Sequence, residues 1–283
     1  MTTITTVHEM QVYVDDLRRR GKSVGCVPTM GALHAGHASL IQHAAAHHDV
    51  AVTSIFVNPT QFAPGEDFAA YPRDLNADEI VIRESGGSVL FAPTVLEMYP
   101  NGPTTVVRVS GVSDTLEGAS RPTHFDGVAT VVCKLFEAML PHEAYFGQKD
   151  FQQTLVVRRM AEDLLMPVKI TVLPTARELD GLAMSSRNVY LNSTERVQAT
   201  TISKALFASR ELALSGERRS AALHMAMATI LATEPAIQLE YAVAVNAVTL
   251  EQEPVFNNDV TIALLIAARL GKTRLIDNVL VEN

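Results

Sequence analysis

Hydrophobic and polar positions follow two alternating patterns along the first two-thirds of the chain. Short apolar runs rich in β-branched residues predict strands at residues 23–27, 50–57, 88–92, 144–146 and 168–174. Segments between these runs predict helices at residues 37–47, 75–85, 125–140 and 151–165. Strands that alternate with helices of this length are typical of βαβ units. The pattern therefore predicts an α/β fold, with a Rossmann-like parallel sheet that has helices on both faces.

The pattern changes after Tyr190. A long helix is predicted from Ser193 to about residue 214, and a second helix follows a break at Gly216. Three short apolar runs come next, at residues 241–245, 260–268 and 273–281. We expect a smaller C-terminal α+β domain, with domain ranges of 1–187 and 188–283 and a hinge near residues 186–191.

Composition and charge narrow the class of protein. The chain has 283 residues, of which 47% are hydrophobic, enough to build a packed core. Its formal net charge of −8 gives no general attraction to nucleic acid or to an acidic membrane surface. Cys26 and Cys133 are too few for a disulfide framework. The first ten residues lack a signal-peptide pattern, and the longest apolar stretch is about half a membrane span. We therefore expect a cytoplasmic protein without a nucleic-acid or membrane partner.

The most informative segment follows the first of these predicted strands and opens a helix. It reads PTMGALHAGH at residues 28–37, with His34 and His37 three positions apart. In open α/β sheets, ligands bind at the carboxyl ends of the strands. A helix N-terminus there offers free N–H groups and a positive dipole end, and Gly36 allows close approach of an anion. We expect both histidines to donate hydrogen bonds to phosphate oxygens.

Other nucleotide and metal motifs fit less well. His34 and His37 could form half of a metal site, but no third ligand is obvious nearby. His43 and His47 are four apart, but Ala44 stands where a zincin has glutamate, so we expect them and His48 to lie on the surface. No GxGxxG fingerprint occurs, and the segment ending at residues 271–273 lacks the first glycine of a P-loop. The sequence Asn192-Ser193-Thr194 is interpreted as a helix N-cap.

Three further segments place polar residues at or after the ends of predicted strands. They read FVNPTQF at residues 56–62, AYFGQKD at 144–150 and RELDGLAMSSRN at 177–188. Each alone is typical of a solvated loop. Together with the histidine pair they favour a phosphate site at successive strand ends, where Lys149, Ser185, Ser186 and Arg187 can contact phosphate.

These motifs resemble those of the pantothenate synthetase (pantoate–β-alanine ligase) family. Besides the segments above, YPRDL at 71–75, EMYP at 97–100, the run LEGASRPTHFDGVATVVCKLF at 116–136 and ARLGKTRLIDN at 268–278 occur in family order. The resemblance implies a ligase of the H-x-G-H nucleotidyltransferase group that works in two steps. Pantoate attacks the α-phosphate of ATP, and the amine of β-alanine then attacks the pantoyl adenylate, which releases AMP.

The resemblance also implies site residues, carried over position by position. His34, His37 and Lys149 would be catalytic, and His37 would be the acid. Gln61 and Gln153 would bind pantoate, and Gln61 would also bind β-alanine. The ATP site would comprise Met30, Gly31, Ala32, Leu33, His34, Ala35, Gly36, His37, Gly147, Gln148, Lys149, Asp150, Ala176, Met184, Ser185, Ser186 and Arg187.

Departures from the family pattern are minor. Ala35 and Gln148 stand where glutamate is common, and Leu179 where alanine is common. Mg²⁺ is expected with ATP, with Asp78 as the candidate ligand, although nucleotide and water usually hold most of the magnesium. The resemblance further implies a homodimer through the N-terminal domain.

Two other functions are compatible with the histidine motif. One is a nucleotidyltransferase that moves a nucleotidyl group onto a phosphorylated alcohol; the neutral side chains of Gln61 and Gln153 favour a hydroxy-acid acceptor instead. The other is a nucleotide-binding regulator without catalysis, which the retention of both histidines, Lys149 and Arg187 disfavours.

Overall fold

The computed structural model describes residues 1–282. The chain forms two compact units. The first comprises Met1–Gly147 and Gln152–Pro174, and the second comprises Gln148–Phe151 and the chain from Thr175 onward. The hinge near residues 186–191 and the domain division after residue 187 stay predictions.

The first unit contains a six-stranded parallel sheet. Its strands are β1 (Thr2–Ile4), β2 (Val24–Thr29), β3 (Val50–Ile55), β4 (Val89–Phe91), β5 (Glu143–Gly147) and β6 (Lys169–Leu173). The spatial order is β1-β4-β3-β2-β5-β6. The order reverses between β2 and β5, and the crevice at such a switch point is where α/β sheets bind ligands.

Seven helices belong wholly or mainly to this unit. They are α1 (Val7–Arg19), α2 (Ala35–His47), α3 (Leu75–Glu84), α4 (Val95–Met98), α5 (Glu117–Ser120), α6 (His124–Met139) and α7 (Phe151–Asp163). Strand side chains alternate between two hydrophobic clusters. Val52 and Phe91 lie in the cluster formed with α1 and α6, whereas Ala51 and Leu90 lie in the cluster formed with α2 and α3. The predicted sheet with helices on both faces is thereby confirmed.

The first strand and helix were not predicted. β1 has only three residues and pairs with β4 at the sheet edge, so it has no periodicity to detect. In α1, Met10, Val14 and Leu17 are buried. Their helical spacing is a signal that could have identified this helix from sequence.

The second unit is the expected smaller α+β domain. Its helices are α8 (Ser193–Gln198), α9 (Thr200–Leu214) and α10 (Ser220–Leu231), and β7 (Ile237–Asn246), β8 (Ile262–Leu270) and β9 (Thr273–Val281) form an antiparallel sheet. Asn192 caps α8 by accepting from the backbone N–H groups of Thr194 and Glu195, as predicted.

The single long helix predicted from residue 193 to about 214 is wrong in one respect, because it divides at Ala199. The hydroxyl of Thr200 donates to the carbonyl of Val197 at 2.7 Å, a local bond that competes with regular helix continuation.

Within residues 1–282, no helix is long and apolar enough to cross a membrane.

Candidate functional site

The loop that follows β2 has an unusual backbone. Gly31 and Ala32 have φ of +84° and +52°, in the left-handed region that favours glycine. The hydroxyl of Thr29 donates to the carbonyl of Ser54 at 2.7 Å and accepts from the N–H of Gly31 at 3.2 Å. The end of β2 thus holds the start of the loop against β3.

Asp78, in α3, holds the other side of this loop. Its two carboxylate oxygens accept hydrogen bonds from the N–H groups of Ala32, at 3.0 Å, and Leu33, at 2.7 Å. The residue is only 3% exposed, and burial raises the pKa of its carboxyl group although both bonds favour the charged form. Both oxygens therefore bind the backbone of the histidine loop, and metal ligation by Asp78 stays a prediction.

The two histidines lie together at the start of α2, as their spacing predicted. Their ring centroids are 4.1 Å apart. His34 is the N-cap residue and its Nδ1 accepts from the N–H of Gly36 at 3.1 Å. The Nδ1 of His37 accepts from the N–H of His34 at 3.3 Å. A neutral ring that accepts at Nδ1 carries its proton on Nε2, so each ring presents a donor there.

Gln61 ends a short 3₁₀ helix, Pro59–Gln61, that follows β3. Its amide is largely buried, accepts from Asn58 Nδ2 at 3.2 Å, and donates to the sulfur of Met30 at 2.9 Å. The structure thus brings the predicted pantoate residue beside the predicted ATP segment of the same unit. Because a thioether is a weak acceptor, a carboxylate or hydroxyl oxygen would be a better partner for this donor.

Asn58 joins this site as a side chain that supports Gln61. It is fully buried, and its amide donates to the carbonyl of Gly127 at 3.1 Å as well as to Gln61. Its oxygen accepts from the hydroxyl of Tyr99 at 2.9 Å. A Cβ at Gly127 would lie 2.5 Å from the carbonyl oxygen of Thr60, so only glycine fits beneath this 3₁₀ helix.

The backbone of Gln61 is held by residues that sequence reasoning missed. Its carbonyl accepts from His124 Nδ1 at 2.8 Å and from Arg121 at 3.3 Å. Arg121 forms a bidentate pair with Glu66, at 2.7 and 2.6 Å. Burial, followed by the nearby Arg121 cation, lowers the pKa of His124 to about 4. The neutral ring can therefore donate from Nδ1 while its Nε2 faces Arg121 at 3.2 Å.

The residues after β5 form a 3₁₀ helix, Gln148–Asp150, that belongs to the second unit. The ammonium group of Lys149 lies 3.5 Å from the carboxylate of Asp150, and the Lys149 side chain is 20% exposed. Gln153 lies in the first turn of α7, within the first unit, and is half-buried.

The segment predicted as a long polar loop is a hairpin followed by a 3₁₀ helix. Arg177 and Ala183 form an antiparallel bridge, and the N–H of Met184 donates to the carbonyl of Ala176 at 2.9 Å. Ser185 caps the 3₁₀ helix Ser186–Tyr190 by accepting from the N–H of Arg187 at 3.2 Å. The side chains of residues 184–187 are half-buried.

The predicted site residues therefore fall in both units. The first unit brings together His34, His37, Gln61, Asp78 and Gly147 near the carboxyl ends of its strands, and also contains Gln153. The second unit contains Lys149, Ala176 and the four residues from Met184 to Arg187.

The surface position expected for His48 is wrong. Its side chain is 8% exposed and its Nε2 lies 3.1 Å from the hydroxyl of Tyr145 and 3.6 Å from Glu143. Burial lowers the pKa of its imidazole. The C-cap conformation of His48 is extended, and the ring packs on Gly25, where a Cβ would meet it at 2.5 Å. His43 and His47 are exposed, as predicted.

A cavity of about 610 Å³ lies in the second unit beside α10 and β7. The polar side chains of Ser220, His224, Tyr241, Gln252 and Glu253 line it, and none of the predicted site residues does.

Comparisons with known proteins agree with the motifs. The family model described as Pantoate-beta-alanine ligase matches residues 2–280. A protein named pantothenate synthetase from Thermodesulfovibrio yellowstonii is 49% identical over 283 residues and covers both chains fully. One of the same name from Moorella thermoacetica is 47% identical over 282 residues, covering 100% of this chain and 99% of the relative.

Two solved structures are also similar. The pantothenate synthetase of Thermus thermophilus superposes with a TM-score of 0.94 at 44% identity, and the alignment covers 100% of both chains. A pantoate-beta-alanine ligase from Francisella tularensis, complexed with beta-gamma ATP and beta-alanine, has a TM-score of 0.81 at 34% identity. That alignment covers 100% of this chain and 98% of the other.

Proposed function

The chain belongs to the pantoate-beta-alanine ligase family, and we propose that it joins (R)-pantoate to β-alanine at the expense of ATP. In the first step a carboxylate oxygen of pantoate attacks the α-phosphorus, the bond to the bridging oxygen breaks, and pyrophosphate leaves. In the second step the β-alanine nitrogen attacks the acyl carbon and loses a proton, and AMP leaves with the former carboxylate oxygen. The product is pantothenate.

One observation carries this proposal: the pair of histidines at the N-terminus of α2, preceded by the loop in which Met30 accepts from the amide of Gln61. The approach of a carboxylate to a triphosphate brings two anions together, so the site must supply positive charge and hydrogen-bond donors. The Nε2–H groups of His34 and His37 and the positive end of the α2 dipole supply both. We propose that His34 and His37 both contact phosphate and that His37 is the acid.

Gln61 suits the acceptor substrate. Its neutral amide can donate to a carboxylate and accept from a hydroxyl, the two groups that a hydroxy acid such as pantoate carries. The bonds from His124 and Arg121 to its carbonyl fix its backbone before substrate arrives. We propose that Gln61 binds pantoate and then β-alanine, with Gln153 as a second pantoate residue.

The resemblance also assigns ATP contact to cations of the second unit. Lys149 supplies a point charge, and Arg187 supplies a planar guanidinium that can contact two phosphate oxygens at once. Ser185 and Ser186 add hydroxyl donors. We propose that the ATP residues are those the resemblance implies: residues 30–37, residues 147–150, Ala176 and residues 184–187.

Magnesium enters this proposal as part of the substrate MgATP. Among residues 1–282, no group of three or more His, Cys, Asp or Glu side chains is arranged to hold a metal ion. The carboxylate oxygens of Asp78 already accept backbone hydrogen bonds. Triphosphate and water would therefore supply most of the ligands of Mg²⁺, and Asp78 remains the candidate ligand from the protein.

We further propose a cytoplasmic homodimer. Cellular ATP is the co-substrate, which supports the location, and the resemblance supports a dimer formed by the N-terminal domain. Light scattering of the purified protein would test the dimer directly.

Product analysis tests the proposed function. With ATP and pantoate alone, pyrophosphate should form in no more than stoichiometric amounts while pantoyl adenylate stays bound. Added β-alanine should then release AMP and sustain turnover. A nucleotidyltransferase would instead form a stable nucleotidylated alcohol, and β-alanine would change nothing.

A further inference from the structure

The motif at residues 268–278 has no role in the proposed chemistry, yet its last two residues contact the segment that carries Lys149 and the hairpin that leads to residues 184–187. Asn278, in β9, is 2% exposed. Its Nδ2 donates to the carbonyl of Gln148 at 3.0 Å and to the carbonyl of Lys149 at 2.9 Å. Its Oδ1 accepts from the side-chain amide of Gln148 at 3.0 Å.

These bonds constrain the backbone on both sides of Lys149. The carbonyl of Gln148 belongs to the peptide group before the Lys149 Cα atom, and the carbonyl of Lys149 belongs to the peptide group after it. One buried carboxamide therefore fixes both peptide planes from which the lysine side chain projects. The internal hydrogen bonds of a short 3₁₀ helix have poor geometry, so these bonds from Asn278 add to the restraint of its backbone.

The neighbouring residue holds the other segment. Asp277 is 5% exposed and pairs with Arg177 through two bonds, at 2.6 and 2.9 Å. Arg177 also donates to the carbonyls of Gly181 and Asn278, both at 3.0 Å. Its guanidinium lies 5.0 Å from the ring centroid of Phe207. Arg177 begins the hairpin that leads into residues 184–187.

Asp277 and Asn278 are also joined to each other. The backbone N–H of Asn278 donates to Asp277 Oδ1 at 2.7 Å. The two side chains thus form one buried unit, which we call the β9 anchor. A displacement of about 1 Å at a group that contacts the reacting phosphate can cost on the order of 10²-fold in rate, so such an anchor has catalytic value without touching substrate.

We propose that the β9 anchor is a positioning device for the adenylation step. Asn278 fixes Lys149, and the Asp277–Arg177 pair fixes the hairpin that carries Ser185 to Arg187. This inference rests on the proposed role of Lys149 at the phosphates. It gives Asp277 and Asn278 of the 268–278 motif a function other than binding substrate or filling the hydrophobic core.

A double-mutant cycle tests the first half. We compare single-turnover pyrophosphate release, with ATP and pantoate, in wild type, Asn278→Ala, Lys149→Ala and the double variant. If Asn278 acts through Lys149, Asn278→Ala lowers the rate about tenfold in wild type but less than about twofold in the Lys149→Ala background. Thermal melting of each variant separates this coupling from loss of fold.

The chain provides a matched control. Asn246, in β7 of the same sheet, donates to Glu253 at 3.1 Å and accepts from the N–H of Val248 at 2.9 Å. Asn246→Ala removes a comparable set of bonds and should leave the rate within about twofold of wild type. If Asn278→Ala does not fold, Asn278→Ser, whose hydroxyl can keep one carbonyl bond, takes its place in the cycle and should show a smaller but still coupled loss.

The outcomes separate the two levels of the proposal. In one outcome, Lys149→Ala slows adenylation, and Asn278→Ala lowers the rate by the same factor in wild type and in the Lys149→Ala background. This outcome would overturn the positioning role and leave the proposed function intact. A Lys149→Ala enzyme with wild-type adenylation would overturn the role of Lys149 itself, and the inference with it. The same cycle with Arg177→Lys and Arg187→Ala tests whether Arg177 acts through the hairpin on Arg187. Independent effects of the two substitutions on the rate would overturn that part of the proposal.

Discussion

The backbone N–H of His34 donates to Nδ1 of His37, so the side chain of His37 holds the backbone of His34 in place. His34 in turn caps α2 through its own Nδ1. Each imidazole therefore uses one nitrogen to build the helix start and keeps Nε2–H as its donor. The structural and chemical roles of each ring lie on different atoms, which makes them separable by mutation.

The first prediction separates these roles at His34. Asparagine is among the best N-cap residues, so His34→Asn should keep the cap and melt within a few degrees of wild type. Loss of a preorganised donor to developing charge should slow adenylation by about 10²–10³. His34→Ala should lose the same activity and also about 0.5–2 kcal/mol of stability. Wild-type single-turnover adenylation by His34→Asn would remove His34 from the mechanism.

The second prediction concerns Gln61. Gln61→Ala should weaken the use of both pantoate and β-alanine, because one amide serves both substrates in turn. Gln61→Glu, of the same shape, should be at least as impaired in the first step, since its carboxylate repels that of pantoate. Steady-state kinetics with each substrate varied measures both effects. An effect confined to β-alanine would show that Gln61 does not hold pantoate.

The third prediction is a pH dependence of stability that originates at His124. Folding lowers the pKa of this imidazole from about 6.5 to about 4, so between these values the unfolded chain binds more protons. The free energy of unfolding should therefore fall as pH is lowered from 6.5 towards 4, by at most about 1.4 kcal/mol per pH unit from this group. The contribution is fully present above pH 6.5.

His124→Gln isolates that contribution, because glutamine cannot protonate but keeps an N–H donor. Urea unfolding at several pH values should give a shallower decline for the variant than for wild type between pH 6.5 and 4. Parallel declines would mean that His124 is as easily protonated in the folded protein as in the unfolded chain.

The strands and helices around the site were predictable where a pattern of neighbouring residues indicates them. The alternation of β-branched runs and helical segments identified five of the six strands, and the three-residue spacing of His34 and His37 placed them together at the start of α2. A helix start and a strand end are local events, so neighbouring residues encode them.

The partners of the site were not predictable in the same way. Asp78 is recognisable as a helical carboxylate, but its bonds to Ala32 and Leu33 cross more than 40 positions of sequence. His124 and Gln61 are 63 positions apart, and Asn278 and Lys149 are 129 apart. Such pairs depend on how the elements pack. The sequence therefore reveals the residues with reactive or binding side chains more readily than it reveals the residues that hold those side chains in position.

The fourth prediction concerns the hairpin closed by Arg177 and Ala183 and the 3₁₀ helix Ser186–Tyr190 that follows it. Gly181, with φ of +92°, makes the hairpin turn, and polar side chains follow it. We expect amide hydrogen exchange across residues 178–190 to slow when ATP and pantoate are added, because phosphate contacts would order Ser185, Ser186 and Arg187. Arg187→Lys should impair adenylation although the charge is kept, since an ammonium group cannot contact two oxygens in the same geometry.

Equal exchange in both states, together with an unimpaired Arg187→Lys enzyme, would mean that this segment is only a linker. Lys272→Arg is a suitable control, because Lys272 is an exposed residue of the β8–β9 turn and the conservative exchange there should leave both readouts unchanged.

If the carboxylate of pantoate attacks the α-phosphate, one of its oxygens must pass into AMP, and isotopic labelling follows that oxygen. Pantoate with heavy oxygen in its carboxylate is incubated with enzyme, ATP and β-alanine, and the nucleotide product is examined by mass spectrometry. We expect one labelled oxygen in the phosphate of AMP and none in pyrophosphate, because the acyl C–O bond breaks in the second step. Unlabelled AMP, or label in inorganic phosphate formed alongside ADP, would contradict it.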